Sequence, residues 1–180
     1  MREIEVKAKL KDKKSFLEAA KNLGIHFSDI IIQEDKTYET ELPYSNPNWN
    51  IFRLRKQDDK VILTMKHKAS SRSRDNYEYE TEVENEADTI KILERLGYTF
   101  GIGINKKRRT AKYNGFELCL DEIEQLGSFV EVEKLTDDDV DVDEIQSELW
   151  SLLSKLGIED KHQVHKGYDT LMHELKKSES

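Results

Sequence analysis

The first ten residues, MREIEVKAKL (residues 1–10), alternate between charged and apolar side chains. The charged residues run from Glu3 to Lys9 on odd positions, and the apolar ones run from Ile4 to Leu10 on even positions. Because successive side chains of a strand point to opposite faces, the stretch predicts a strand with one charged and one apolar face. The charged face either meets water or points at a ligand, and the rest of the sequence bears on that choice.

The composition of the chain excludes several classes of protein. Its 180 residues suffice for one domain with a sizeable core, and its net charge of -8 disfavours binding to duplex nucleic acid. A single cysteine, Cys119, rules out an intrachain disulfide and a cysteine metal cluster. No apolar run approaches the length of a membrane span, and the N-terminus has no signal-peptide pattern. We therefore expect a cytoplasmic protein that binds neither membranes nor duplex DNA or RNA.

A strand–helix unit occurs three times along the chain. Each unit has a Glu-x-Glu pair in a strand pattern, at residues 3–5, 80–82 and 131–133. An amphipathic helix pattern follows each pair and ends at Leu-Gly, at residues 23–24, 96–97 and 156–157. Further strand patterns lie near residues 29–40, 50–57, 60–67, 75–84, 99–113, 115–123 and 128–135. With the first strand they predict about eight strands, together with the helices of the repeated unit.

The charges on these strands are sorted by sign. Arg53 and Arg55 are paired on one strand face, whereas Glu131 and Glu133 are paired on another. An open sheet that exposes one charged face to water accounts for the charge on any single strand, and it is the simpler alternative. It requires neither paired charges on nearly every strand nor their separation by sign. A closed sheet with its charged faces inward would instead form a polar tunnel, which needs water, mutual pairing or a charged ligand.

The residue types on the charged faces indicate which ligand such a tunnel would take. The basic residues are numerous enough for a polyanion, and they are Arg53, Arg55, Lys66, Lys106 and Arg108. Arginine matches phosphate oxygens with its planar fork, and lysine supplies a point charge. Carboxylates are unsuited to direct phosphate contact, but they suit a hard divalent cation that also binds phosphate oxygens. The combination favours a metal–polyphosphate complex as the ligand.

Several short motifs occur in an order and spacing typical of one family. They are Glu3-x-Glu5-x-Lys7, Gln33-x-Asp35-x-x-Tyr38, IFRLR with Arg53 and Arg55, Leu63-Thr64-x-Lys66, Glu80-x-Glu82, Lys106-x-Arg108 and LDEIEQLGSFVEVE (residues 120–133). With them the sequence resembles the CYTH superfamily of class IV adenylyl cyclases and thiamine triphosphatases, also called triphosphate tunnel metalloenzymes. The resemblance runs from Glu3 to about Leu175 and is closest to the class IV adenylyl cyclase-like branch. One departure is Gly167-Tyr168, where the family has Ser-Tyr.

The resemblance implies an α+β fold. In this fold a closed, antiparallel, eight-stranded β-barrel forms the triphosphate tunnel, and helices pack outside it. Residues 1–175 would form a single CYTH-like domain, and residues 176–180 would form a frayed C-terminal tail. The charged face of MREIEVKAKL would then point into the tunnel.

The resemblance also implies a bound Mg²⁺ or Mn²⁺ ion. The foremost candidate metal ligands are Glu5, Glu131 and Glu133. The next candidates are Glu3, Glu82 and Asp121. Glu80 either binds the metal or orients a neighbouring basic residue.

The basic residues would hold the triphosphate and offset the charge that develops in the transition state. This candidate set comprises Lys7, Arg53, Arg55, Lys66, Lys106 and Arg108. The last two are chosen because Ile102 and Ile104 precede them at the spacing of the family. Lys107 and Arg109, which share the opposite strand face, are the alternative pair.

Lys66 and Tyr38 are the candidate catalytic residues. Tyr38 resembles a tyrosine that works beside the Leu-Thr-x-Lys lysine in thiamine triphosphatases. A lowered pKa would let Lys66 assist the removal of a proton from the nucleophile. The alternative for Tyr38 is that it packs at the rim of the barrel.

Three functions are compatible with these residues. In a class IV adenylyl cyclase, ATP is converted to cyclic AMP and pyrophosphate. In a triphosphatase, water attacks inorganic triphosphate, thiamine triphosphate or a nucleoside triphosphate. A non-catalytic polyphosphate or nucleotide binder is the third, and the full set of carboxylates disfavours it, since anion binding alone needs only basic groups. The family resemblance also allows for a homodimer, although no sequence feature establishes one.

Overall fold

Eight antiparallel strands close into a barrel in the order β1-β5-β4-β3-β2-β6-β7-β8. The computed structural model describes residues 2–42, 50–70, 74–137 and 139–179. The strands are β1 (Arg2–Lys9), β2 (Ile31–Glu39), β3 (Asn50–Gln57), β4 (Lys60–Lys68), β5 (Asp75–Glu82), β6 (Thr99–Tyr113), β7 (Phe116–Ile123) and β8 (Gly127–Thr136). The closed eight-stranded barrel and the α+β class are thus confirmed.

In the described part of the chain, four α-helices accompany the barrel, one more than the repeated unit predicts. They are α1 (Lys13–Asn22), α2 (Glu86–Arg95), α3 (Val142–Lys155) and α4 (Tyr168–Glu179). The first three end at the predicted Leu-Gly pairs. There Gly24, Gly97 and Gly157 have φ angles of 75°, 89° and 83°, in the left-handed region that glycine adopts without a Cβ penalty.

Helix α4 is missing from the sequence prediction, although a signal for it exists. Tyr168, Leu171, Met172 and Leu175 recur at helical spacing and pack together against the barrel. The helix continues through residues 176–179, within the stretch that the sequence predicts to be a frayed tail. The division into a domain of residues 1–175 and a tail stays a prediction.

Alternation along each strand separates an apolar outer face from a charged inner face. On the outside, Ile4, Val6 and Val130 of the barrel belong to one core cluster with helix residues such as Phe16 and Leu149. Burial of these side chains ties α1 and α3 to the barrel wall, at roughly 1.5–3 kcal/mol for each fully buried large side chain. The charged residues are thereby left on the inside.

Helix α4 covers part of the barrel interior. Its residues Tyr168 and Met172 pack against Ile104, Ile123 and Phe129. Ile104 occupies the same strand face as Lys106, two residues away, and that face lines the interior. A helix that reaches inward-facing residues of a closed barrel must enter from an open end, so α4 closes one side of the tunnel. Within the described residues, no helix combines the length and apolar character needed to cross a bilayer.

Candidate functional site

The inner face of the barrel encloses a cavity of about 1120 Å³, to which all eight strands contribute. Most sequence-predicted site residues line it, namely Glu3, Glu5, Lys7, Arg53, Arg55, Lys66, Glu80, Lys106, Arg108, Glu131 and Glu133. An open sheet with solvated rows of charge is therefore the wrong alternative. The charges are held in one enclosed volume because their strands wrap around it.

Three carboxylates converge where β1 meets β8, and we call Glu3, Glu5 and Glu133 the carboxylate corner. One oxygen of each lies within 4.8 Å of the others, and Glu5 is the direct register partner of Glu133. Burial, the nearby Glu3 carboxylate and the Glu131 carboxylate raise the pKa of Glu133 to about 8. Burial, only partly offset by Lys66, raises the pKa of Glu3 to about 7. The corner therefore carries more negative charge than its surroundings neutralise.

The carboxylate corner fits a hard divalent cation. Carboxylate oxygens are the ligands that Mg²⁺ and Mn²⁺ prefer, and three of them can be supplied here without a change of fold. A cation would lower the raised pKa values by neutralising the clustered charge. Glu3, Glu5 and Glu133 are thus the predicted ligands that the structure brings together.

Glu131 and Asp121, two other predicted metal ligands, are instead held by cations. Lys7 Nζ lies 2.9 Å from a Glu131 oxygen, and Arg108 Nη2 lies 2.7 Å from the other. Arg108 also donates to both oxygens of Asp121, at 2.7 and 2.5 Å, and the Tyr168 hydroxyl donates to Asp121 at 3.0 Å. Burial opposes charge on Glu131, but Lys7 and Arg108 outweigh it and hold its pKa well below its usual value.

A second acid–base group lies around Asp35, and we call Asp35, Arg55 and Lys106 the Asp35 cluster. Arg55 donates to both oxygens of Asp35 at 2.7 and 2.9 Å, and Lys106 Nζ lies 3.3 Å away. Lys106 and Arg55 outweigh the burial of Asp35 and lower its pKa. Burial, together with Arg108, lowers the pKa of Lys106 to about 7.

Glu80 and Glu78 of β5 orient the basic residues of the neighbouring strands. Glu80 accepts hydrogen bonds from Arg53 at 3.1 Å and from the Thr64 hydroxyl at 2.7 Å. Glu78, which the sequence analysis misses, pairs with Lys66. Because Glu78 and Glu3 outweigh burial, the pKa of Lys66 is raised. The predicted lowering of the Lys66 pKa is therefore wrong, whereas burial lowers the pKa of two other cavity lysines, Lys106 and Lys7.

Three predicted residues are not among the described residues that line the cavity, and the buried Asp121 is one of them. Glu82, at the end of β5, is exposed and pairs with Lys60 at 2.7 Å, so it does not join the carboxylate corner. The strand face predicted for Glu82 is correct, but alternation does not reveal how far along the tunnel a residue lies.

Tyr38 faces outward and packs with Leu54 and Leu93 of α2. Its proposed work beside Lys66 is therefore wrong, and the alternative of a packing role holds.

The structure distinguishes the two alternative basic pairs of β6. Lys106 and Arg108 face the cavity, whereas Arg109 donates to the Ser28 carbonyl oxygen on the outside.

Arg74 and Tyr168 line the cavity without having been predicted. Tyr168 occupies the Gly-Tyr position that departs from the family motif, and the ammonium of Lys7 lies 3.6 Å from its ring centroid.

Comparisons with known proteins agree with this fold. A family model of the CYTH domain matches residues 1–168. The chain is 29% identical over 169 residues to a protein of Methanocaldococcus jannaschii named "putative adenylate cyclase", covering 93% of this chain and 97% of that one. It is 28% identical to the PH1012 protein of Pyrococcus horikoshii, with a TM-score of 0.80 and coverage of 94% and 98%.

A more distant structure shares the fold. The "putative adenylyl cyclase" HpAC1 of Hippeastrum is 16% identical, has a TM-score of 0.59 and covers 92% of this chain and 90% of its own. That protein is described as having a dominant triphosphatase activity.

Proposed function

The chain belongs to the CYTH domain family, and we propose that it is a metal-dependent enzyme that acts on a triphosphate compound inside its barrel. One observation carries the proposal. The carboxylate corner and the basic residues that could hold a polyanion line the same enclosed cavity. Neither group neutralises the other completely, since the pKa values of Glu3 and Glu133 stay raised to about 7 and 8.

The basic side chains would bind the phosphates. They are Lys7, Arg53, Arg55, Lys66, Lys106 and Arg108. Several already have a carboxylate partner, which fixes the direction of each side chain before substrate arrives. Such prior orientation reduces the entropy lost on binding and aligns positive charge with the oxygens on which negative charge develops. Glu78, Glu80 and Asp35 thereby act as positioning residues.

Glu3, Glu5 and Glu133 would hold Mg²⁺ or Mn²⁺. Such a cation, when bound, supplies positive charge to phosphate oxygens and offsets the charge of the leaving group. The chain itself contributes the closed wall, which limits water, and the three carboxylates of the corner.

The adenylyl cyclase reaction is the first candidate. The 3′-oxygen of ATP attacks the α-phosphorus, the bond from that phosphorus to the bridging oxygen breaks, and pyrophosphate leaves. The volume of about 1120 Å³ supports this assignment, because pockets of about 300–1,000 Å³ already hold drug-sized molecules, so there is room for a nucleotide. The name of the Methanocaldococcus jannaschii relative supports it as well.

The pKa of Lys106 suits it better than Lys66 to accept the proton of the nucleophile. Its pKa of about 7 leaves a neutral fraction at physiological pH. The raised pKa of Lys66 keeps that residue protonated, which suits it to hold a phosphate oxygen.

Triphosphate hydrolysis is the second candidate. Among the described residues that line the cavity, Tyr168 is the only tyrosine, tryptophan or phenylalanine, and its ring is already engaged by Lys7. The described lining therefore offers little surface on which a purine would stack, and inorganic triphosphate would not need it. HpAC1, with the same fold, is described as a predominant triphosphatase. A simple polyphosphate binder is disfavoured by the carboxylate corner, which would repel the ligand without a cation.

A product assay distinguishes these functions. ATP and inorganic triphosphate are offered separately with Mg²⁺ or Mn²⁺, and products are resolved chromatographically. Cyclic AMP with pyrophosphate supports the cyclase, and orthophosphate formed mainly from inorganic triphosphate supports the hydrolase. Glu133→Gln should abolish either activity, while Glu82→Gln, an identical change at an exposed position outside the cavity, should not. Absence of metal-dependent turnover with ATP, inorganic triphosphate and thiamine triphosphate would contradict the proposed function.

A further inference from the structure

Arg74 is an arginine with an uncommon backbone conformation at the start of β5. Its φ angle is 63°, in the left-handed region that non-glycine residues rarely adopt. Its carbonyl oxygen accepts a hydrogen bond of 3.0 Å from the backbone N–H of Glu5. The strained residue is thus attached through its backbone to the strand that carries the carboxylate corner, and such strain persists only where surrounding contacts hold it.

The side chain of Arg74 reaches the same place. Its guanidinium pairs with Glu5 of the carboxylate corner and lies 3.0 Å from an oxygen of Glu131. Only 15% of the Arg74 side chain is exposed, and each of the two glutamates is 6% exposed. Ion pairs this far from water are weakly screened by solvent and salt, so the attraction between their charges is stronger than in a surface pair.

We propose that Arg74 is a built-in counter-ion of the carboxylate corner, which competes with the divalent cation for Glu5 and turns to the triphosphate once that cation binds. The inference rests on the metal site of the proposed function and adds a residue to it.

Competition follows from charge and from the number of oxygens available. A divalent cation bound by Glu5 would face the positive guanidinium across one carboxylate, and like charges repel strongly in a buried site. The Arg74 guanidinium is also engaged with one oxygen of Glu5, Oε1, so a cation that binds this oxygen competes with it directly. Repulsion and this competition together would displace the guanidinium from Glu5 when the cation enters.

After its guanidinium leaves Glu5, Arg74 would stay in the cavity. Its backbone is fixed at Glu5, and its side chain lines the same cavity as Lys66 and Arg53. Once free of Glu5, the guanidinium still has Glu131 beside it, and the triphosphate would offer it a second anion in the same cavity. Metal and triphosphate binding would thus be coupled through Arg74.

A calorimetric titration with Mn²⁺, in the absence of phosphate, tests the competition. Arg74→Met removes the charge and keeps the bulk, and Arg53→Met removes one charge from the cavity without touching the corner. We expect Arg74→Met to bind Mn²⁺ about tenfold more tightly than wild type, because a charge-assisted contact no longer has to be broken. Arg53→Met should change the affinity less. Metal-free Arg74→Met should unfold at a lower temperature than wild type, yet gain more from Mn²⁺.

A second titration uses tripolyphosphate, presented with excess Mn²⁺ to protein saturated with that ion. Here Arg74→Met should bind several-fold more weakly than wild type, the reverse of its effect on the metal. Equal or weaker Mn²⁺ affinity in Arg74→Met would overturn the competition, and unchanged tripolyphosphate affinity would overturn the transfer. Failure of wild type and both variants to bind Mn²⁺ would instead contradict the proposed metal site, and the inference with it.

Discussion

Two groups of buried carboxylates share the tunnel, and their charges are balanced differently. In the Asp35 cluster, one aspartate faces two cations, and its pKa is lowered. In the carboxylate corner, three glutamates lie together, and the pKa values of Glu3 and Glu133 rise to about 7 and 8. Both groups are enclosed by the same barrel, so burial alone does not explain the difference. The number of nearby cations does.

The two groups differ in what their acids do: Asp35 orients other residues, whereas Glu133 of the carboxylate corner lacks an ionic partner among the described residues. Asp35 fixes Arg55 and Lys106 and is satisfied by them. Within the described part of the chain, Glu133 forms no ion pair. Clustered negative charge that the protein compensates only in part, with Arg74 at Glu5, is costly to fold, and it is retained where a ligand supplies the missing positive charge. This is why the corner, rather than Asp35, is assigned to the metal.

The largest expected effect comes from breaking the balanced group. Asp35→Asn leaves Arg55 and Lys106 buried without their anion, which costs about 3–5 kcal/mol of unfolding free energy. For a chain of this size that corresponds to a melting temperature lower by roughly 10 °C. Thermal unfolding monitored by circular dichroism would measure it. Glu82→Gln at the exposed end of β5 serves as the control and should change little. A stability equal to wild type in Asp35→Asn would show that the cluster is not balanced as described.

The pH dependence of metal binding tests the other group, the carboxylate corner. Glu3 and Glu133, with pKa values of about 7 and 8, must lose their protons before they bind a cation. Mn²⁺ affinity should therefore rise by roughly tenfold or more between pH 6 and pH 8, with proton release. Calorimetry in buffers of different ionisation enthalpy would count the released protons. An affinity that is flat over this range would contradict the raised pKa values.

The same carboxylates predict how stability changes with pH. Because their folded pKa values lie above the usual value of 4.5, the folded state binds more protons than the unfolded state between pH 4.5 and about 8. Their contribution to stability is thus present at low pH and is lost as the pH rises through about 7 to 8. The metal-free protein should be less stable at pH 9 than at pH 6, and added Mn²⁺ should reduce that loss.

Glu133→Gln relieves the uncompensated charge, so it should stabilise the metal-free protein. At pH 8.5 we expect a gain of about 1 kcal/mol, which is a melting temperature higher by roughly 3 °C. The same variant should lose most of the stabilisation that Mn²⁺ gives to wild type. Paired melting curves with and without Mn²⁺ would check both effects. A destabilised metal-free variant would show that Glu133 is already satisfied within the protein.

The smallest expected effect concerns the end of the tunnel. Tyr168→Phe removes the hydrogen bond to Asp121 and leaves the ring beneath Lys7 in place. Since Arg108 still holds Asp121, the cost should be about 0.5–1.5 kcal/mol. Urea unfolding would measure this loss, while Mn²⁺ affinity should stay within about twofold of wild type, which is less than 0.5 kcal/mol. A large change in Mn²⁺ affinity would mean that α4 contributes to the carboxylate corner.

Sequence alone predicts the barrel and the inner face because both depend on a period of two. The charges of β1 from Glu3 to Lys7 alternate with Ile4 and Val6, and the structure places the two sets on opposite sides as expected. The ends of the first three helices are predictable for a similarly local reason, because the glycine after each of them takes a positive φ angle.

Other features of the site depend on contacts that sequence does not encode locally. Alternation gives Glu78 and Glu82 the same face, but only the assembled barrel shows that Glu78 lies in the cavity and Glu82 beyond it. Arg74 reaches the corner from outside a strand pattern, where no periodicity exists. The pKa of Lys66 depends on Glu78 of the neighbouring strand. The cytoplasmic location and the homodimer remain predictions.

The most direct test of the carboxylate corner is a crystal structure of the protein grown with Mn²⁺ and tripolyphosphate, with anomalous scattering recorded for manganese. We expect an anomalous peak about 2.1 Å from carboxylate oxygens of Glu3, Glu5 and Glu133, with the polyphosphate against the basic residues of the cavity. A manganese peak at the Asp35 cluster, or none inside the barrel while polyphosphate is bound there, would contradict the assignment of the metal to the corner.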